Sequence, residues 1–223
     1  MGFNPSPFLF IYVVFLFLEQ IIFYSMKKTN YEMIKSIKGI ILIFTLAVFI
    51  FSCTNNTYKQ REKTIYNYFL GLNSGDFNLI SESVTDSITT SEMSFILTKN
   101  KQELYVHYKW DSVFNPKYKI LEISADSNKF NCTIEKICER IKFLQDTSTI
   151  FKTDIEFDDG KIARHSITEY IKFDTETWES RRDSLVAWID RNHPELTGFV
   201  FDLSPEGAQR YKKAMNLYRK NKE

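Results

Sequence analysis

The sequence predicts an α+β domain in which N-terminal helices pack on an antiparallel sheet and two extra helices follow at the C-terminus. Three observations predict it. From Tyr58 apolar residues recur at helical spacing, beyond Pro116 the period falls to two, and after Phe173 helical spacing returns. The 223 residues suit one folded unit of generous size, given roughly 150 residues per domain. With 43% hydrophobic and 16% aromatic residues against only 7 Gly and 5 Pro, the chain has material for a packed core.

Ahead of the domain stands a leader. Gly39 to Phe51 is an apolar run of 13 residues preceded by Lys27, Lys28, Lys35 and Lys38. Crossing a bilayer takes about 20 apolar residues, so the run has the length of a signal-peptide core. Ile50-Phe51-Ser52-Cys53 resembles the lipobox of bacterial lipoproteins, although Phe51 is larger than the residue that pattern prefers. The resemblance implies diacylglycerol transfer to the Cys53 thiol, cleavage after Ser52 and acylation of the freed amine. Acyl chains at about 0.8 kcal/mol per buried methylene would then anchor the protein. A structural cysteine ending an ordinary membrane helix is the alternative. Thr54 stands where an Asp would favour inner-membrane retention, so the expected location is the bacterial cell envelope, on the outer membrane facing the periplasm. An earlier apolar run, Phe8 to Leu18, is either a first membrane segment or part of an over-extended reading frame whose true start is Met26 or Met33. Met26-Lys27-Lys28 favours the second. The predicted organisation is an apolar extension over 1–25, a lipoprotein signal peptide over 26–52, a lipidated tether over 53–58, a core domain over 59–173 and a helical extension over 174–223.

The net charge of +1 belongs mostly to this leader. The first 52 residues hold four basic and two acidic side chains, which leaves 25 against 26 in the body. A near-neutral body lacks the clustered basic face that nucleic acid requires, so no nucleic-acid partner is expected.

Within the body, Ile65, Phe69 and Leu72 mark a first helix that Gly71, Asn73 and Gly75 break. Asp76 is placed to cap a short second helix carrying Phe77, Ile80 and Val84. Asn100 and Glu103 form a capping-box start to a third helix, with Leu104, Tyr108 and Trp110 on its stripe and Asn115-Pro116 at its end. Tyr118, Ile120 and Ile123 then mark a strand, with Asp126-Ser127-Asn128 as its turn. Phe130, Cys132 and Ile134, followed by Ile137, Ile141 and Phe143, predict one long strand bulged near Lys136. On that reading Cys132 and Cys138 lie about 20 Å apart along the strand, beyond disulfide reach, and stay free. Phe151, Thr153, Ile155 and Phe157 alternate with polar residues, giving one buried and one wet face. Asp158-Asp159-Gly160 is a hairpin signal, and Ile162 to Phe173 returns as the partner strand. Thr175 or Thr177 caps the next helix, with Trp178, Leu185, Trp188 and Ile189, ending at His193-Pro194. Ser204-Pro205-Glu206 opens the last, with Tyr211, Met215 and Tyr218 on one face.

Two stretches, Tyr66-Asn67-Tyr68-Phe69 through Asn73-Ser74-Gly75-Asp76-Phe77 and Phe157-Asp158-Asp159-Gly160-Lys161-Ile162, make residues 59–173 resemble the nuclear transport factor 2-like superfamily. This is the cone-shaped fold shared with ketosteroid isomerase and the SnoaL-like cyclases. The resemblance implies a curved sheet whose concave face and helices enclose a pocket, in which the family's enzymes place an acid or base. It also allows a homodimer through the open sheet. No residue matches the Tyr and Asp constellation of ketosteroid isomerase closely enough to be carried over.

Candidate pocket-lining residues are Tyr108, Trp110, Arg140, Phe151, Thr153, Ile155, His165 and Tyr170. His165 with Glu169 is the one candidate acid–base pair, while the Arg164 and Ser166 flanks of His165 favour a solvated position on a half-wet strand over a catalytic one. His107, His165 and His193 have no metal-ligand spacing, so no metal is expected. Without a Gly-rich phosphate loop or a Gly-x-Ser-x-Gly elbow, no cofactor is expected either. The expected function is that of a membrane-tethered envelope lipoprotein with a non-catalytic domain that binds a small apolar ligand or an envelope protein. An isomerase- or cyclase-type enzyme using a pocket His or carboxylate, and a dimerising structural domain, are the alternatives.

Overall fold

The computed structural model describes residues 57–126 and 129–221, with residues 16 and 18–21 of the preceding segment. The signal peptide, Cys53 and the Ser127-Asn128 turn lie outside the described residues. Among those described, no helix is long and apolar enough to cross a membrane.

Helix α1 spans residues 57–74 and buries Ile65, Tyr68 and Phe69. Gly71 lets α2 (Phe77–Ser83) pack directly on it, because a Cβ there would meet Ile80 Cγ1 at 2.7 Å. Asp76 caps α2 as expected, accepting from Asn78 N at 2.9 Å. Val84 does not continue that helix. It opens strand β1 (Val84–Glu92), which turns through Met93 into β2 (Phe95–Thr98), a hairpin the sequence reading did not assign. Helix α3 (Lys101–Ser112) begins at the expected box: Asn100 Oδ1 accepts from Glu103 N, and the Glu103 carboxylate accepts from Lys99 N and Asn100 Nδ2.

Strands β3 (Lys117–Asp126) and β4 (Lys129–Ile137) follow. The single long strand expected through Phe143 ends at Ile137. Cys138 caps helix α4 (Glu139–Gln145), its Sγ accepting from Ile141 N at 3.4 Å. The apparent phase slip near Lys136 is therefore a change of element, since Cys138, Ile141, Leu144 and Gln145 are buried at helical spacing. Cys132 and Cys138 are both free and buried, but not because one strand holds them apart.

Strands β5 (Thr149–Asp158) and β6 (Lys161–Lys172) meet at Asp159 and Gly160, whose φ values of 45° and 73° are those of the tight hairpin expected. The sheet order is β2-β1-β6-β5-β4-β3. Its pairs are antiparallel except β1 with β6, which is parallel, so the curved sheet is mostly antiparallel, in line with the expected fold class. Most of the domain separates these two strands in sequence, which supplies the long connection that parallel pairing needs. Opposite β5, strand β6 carries extra residues at Ala163, Thr168 and Ile171, where the register shifts. Such bulges bend a strand, and three of them curve the sheet around its helix-covered face.

Helix α5 (Thr175–Asn192) is capped by Asp174, not by Thr175 or Thr177: Asp174 Oδ1 accepts from Thr177 N at 2.9 Å. Short 3-10 turns at Pro194–Leu196 and Phe199–Phe201 lead to α6 (Pro205–Lys220), whose Ser204 cap and Pro at the first turn are those predicted. Two cores result. One, around Phe69, Ile88, Ile134 and Ile155, lies between the first helices and the sheet. The other, around Phe114, Leu185, Phe199 and Tyr211, joins α3 and α4 to the C-terminal helices.

Candidate functional site

A cavity of about 290 Å³ opens where the concave sheet face meets α1, α3, α4 and the start of α5. Helix α3 presents Leu104, His107, Tyr108 and Asp111 to it, spaced 3, 4 and 7 residues as one helical face requires. Strand β6 contributes His165, Ile167 and Tyr170. The last two are three residues apart, because the bulge at Thr168 resets which side chains point inward. Phe151 of β5 stands opposite Tyr170, the rings 6.1 Å apart. Trp178 of α5 and Arg140 of α4 close one end.

Asp111 is the deepest charge, 5% exposed. Both its oxygens accept from Lys136 Nζ at 2.8 Å, and Oδ2 also accepts from the Tyr118 hydroxyl at 2.7 Å. Burial alone would raise its proton affinity. The Lys136 charge and the hydrogen bonds from Lys136 and Tyr118 outweigh it and hold the carboxyl below the usual range. Tyr118 is pushed the other way, by burial and then by the Asp111 charge. Tyr170 donates to Glu92 Oε1 at 2.6 Å, and burial followed by that bond raises its phenol.

His165 lies with Nδ1 3.4 Å from the Tyr68 hydroxyl and with Nε2 buried without a hydrogen-bond partner. Burial, and secondarily nearby His107, lowers its pKa to about 4. His107 is lowered too, chiefly by burial. Arg140 is held between two indoles, its guanidinium carbon 4.9 Å from the Trp110 ring centre and 5.1 Å from that of Trp178. Its Nε is buried without a hydrogen-bond partner.

No family model matches this sequence, and no curated protein matches it. Solved structures do overlap with it. A protein described as a candidate polyketide cyclase from Sinorhizobium meliloti shares 14% identity over 48% of this chain and 94% of its own, with a TM-score of 0.42. A candidate ketosteroid isomerase from Kribbella flavida shares 12% over 52% and 81%, at 0.43, and an NTF2-like protein of unknown function from Cytophaga hutchinsonii 8% over 49% and 88%, at 0.41. The overlaps are partial, and what decides the architecture is the chain's own topology: three leading helices over the concave face of a curved sheet, closed by the β1–β6 pair. That topology is the α+β architecture expected from the sequence, helices packed on one face of a curved sheet.

In this cavity, six of the eight residues proposed from sequence are present: Tyr108, Trp110, Arg140, Phe151, His165 and Tyr170. Thr153 and Ile155 lie outside it. Both are fully buried, Ile155 in the core and Thr153 with its hydroxyl donating to Ser166 O at 2.9 Å. The His165–Glu169 pair is not formed. The bulge at Thr168 turns Glu169 to the outer face, where it pairs with Lys152 at 2.7 Å and its side chain is 56% exposed. His165, conversely, faces the cavity and not solvent. Sequence reading missed Tyr68, Glu92, His107, Asp111, Tyr118 and Lys136. Two of these carried a signal. Asp111 continues the apolar stripe of α3, and Lys136 continues the inward alternation of Phe130, Cys132 and Ile134. Among the described residues no group of three or more His, Cys, Asp or Glu is placed to hold a metal.

Proposed function

We propose that the domain is a non-catalytic binding module for a small, largely apolar ligand, carried by an envelope lipoprotein anchored through Cys53. The observation that supports binding is the aromatic cavity in which Asp111, both histidines and two tyrosines are shifted away from the neutral range. General acid–base catalysis works best with a proton affinity near the working pH. Here Asp111 and both histidines are shifted down, while Tyr118 and Tyr170 are shifted up. Groups locked in one protonation state suit recognition, and a cavity of about 290 Å³ is close to the lower end of small-molecule sites. Native mass spectrometry of the gently purified protein is expected to show a mass excess that organic solvent removes. A protein that carries no excess mass, and on which a library of small aromatic fragments produces no shift in cavity resonances, would end the reading.

A second reading is favoured by one observation, the unpartnered Nε2 of His165 inside the cavity. An imidazole nitrogen with no partner in the protein is free to exchange a proton with a bound substrate, as an isomerase or cyclase would require. Turnover of a steroid or polyketide-like ketone that His165→Gln abolishes while leaving fragment binding intact would favour this reading over the first.

The tether rests on the order of basic flank, short apolar core, Ser52 and Cys53. Cells fed labelled palmitate are expected to label the wild-type protein and not Cys53→Ala. Undiminished label in the variant would remove the anchor from the proposal and leave the cavity reading untouched.

A further inference from the structure

The geometry points to Arg140 as the anchor for an anionic group on the ligand, so that the cavity selects a small aromatic or alicyclic carboxylic acid over a neutral molecule of the same shape. This rests on the binding reading above and specifies its ligand class.

The cavity's two cations, Lys136 and Arg140, are used differently. Lys136 is committed, both oxygens of Asp111 lying 2.8 Å from its ammonium. Among the described residues no carboxylate lies within ion-pair distance of Arg140. Its polar contact is the Tyr211 hydroxyl, and its Nε, though buried, has no hydrogen-bond partner. A buried donor left unsatisfied on a charged group is costly. The Trp110 and Trp178 rings, 4.9 and 5.1 Å from the guanidinium carbon, support the charge through their π-faces, which accept no conventional hydrogen bond from its donors. A guanidinium fixed in this way has lost little further freedom when a carboxylate arrives, and its fork matches two carboxylate oxygens. The two carboxylates of the lining have partners of their own, Asp111 with Lys136 and Tyr118 and Glu92 with Tyr170.

The rest of the lining determines what the acid carries. Phe151, Ile167, Tyr170 and Phe173 face the same cavity from the sheet side and offer apolar and ring surface. A ligand with its anionic end on Arg140 would therefore bury a ring or compact hydrocarbon against the strands. The cavity's small volume excludes long-chain fatty acids folded wholly inside it.

The test uses matched pairs: benzoate with benzamide, phenylacetate with phenylacetamide, and cyclohexanecarboxylate with its amide. Each is titrated by protein-observed NMR, with tryptophan emission as a second readout because Trp110 and Trp178 flank the anchor. On the wild-type protein the acids should bind about tenfold or more tightly than their amides, the ratio a charge-assisted hydrogen bond supplies. Arg140→Gln should abolish that ratio while amide binding persists, and Arg140→Lys should retain part of it. The wild-type ratio stands as a test even if the Gln variant fails to fold. Acids and amides binding wild-type protein equally, or a preference that survives in Arg140→Gln, would overturn the assignment while leaving the cavity a binding site. Failure of every pair to perturb a cavity residue would overturn both.

Discussion

Asp111→Ala is expected to destabilise the domain by about 3–5 kcal/mol, the largest effect of any single polar substitution in the cavity. The wild-type carboxylate is buried and so is most of Lys136, the two side chains being 7% and 16% exposed. Removing the acid leaves an ammonium with no counter-charge in a site of low polarity and deprives the Tyr118 phenol of its acceptor. The lost attraction is a smaller matter than the stranded charge. That distinction is testable, because replacing both partners removes the charge as well. Asp111→Leu combined with Lys136→Met should recover most of the loss and come within about 2 kcal/mol of wild type. Urea unfolding with a common slope would read both values. A loss under about 1 kcal/mol in Asp111→Ala would mean that water reaches the pair and that the cavity is wetter than its lining implies.

How far the sequence already contained this site is instructive. Local signals with one mechanism survived well: the Asn100–Glu103 box, the Asp159-Gly160 turn and the Ser204-Pro205 start each need only residues a few positions apart, and each is where the pattern put it. Readings that depended on carrying a period through several residues failed where the period itself changed. The β4 to α4 junction read as a bulged strand because Ile137, Ile141 and Phe143 fit either spacing over so short a run. The β1–β2 hairpin went unassigned because the burial along Val84–Glu92 is not a clean alternation.

The site suffered from the same cause. Counting by two along β6 puts His165 and Glu169 on one face, whereas the extra residue at Thr168 puts them on opposite faces. No composition rule signals that bulge. Asp111 and Lys136 are a different case, since both charges stand on faces otherwise apolar. A carboxylate on a helix stripe and an ammonium on an inward strand register are each costly alone, so the presence of both implies that they meet. Stability and recognition thereby divide the cavity's two cations, with Lys136 assigned to the fold and Arg140 to whatever enters.

The second large effect is acid sensitivity. In the unfolded chain His165 has its ordinary pKa of 6.5, and in the folded domain burial lowers it to about 4. The sign follows from proton counting. Between those values the unfolded state binds a proton that the folded state does not, so stability is full above pH 6.5 and is lost progressively as pH falls towards 4. Below that both states are protonated and the loss stops growing. The whole shift corresponds to about 3 kcal/mol at most. His107, also lowered by burial, adds to the loss in the same window. The groups facing His165 do not cancel it: Tyr68 stays neutral, and Asp111 is lowered from 3.8, so its own contribution is lost at more acidic pH. Urea unfolding at intervals from pH 7.5 to 4 should therefore show wild type losing stability relative to His165→Gln, which can keep the contact with Tyr68 but cannot titrate. Parallel curves for the two proteins would show that His165 takes up its proton as readily folded as unfolded, and that the imidazole faces water instead of the aromatic cavity.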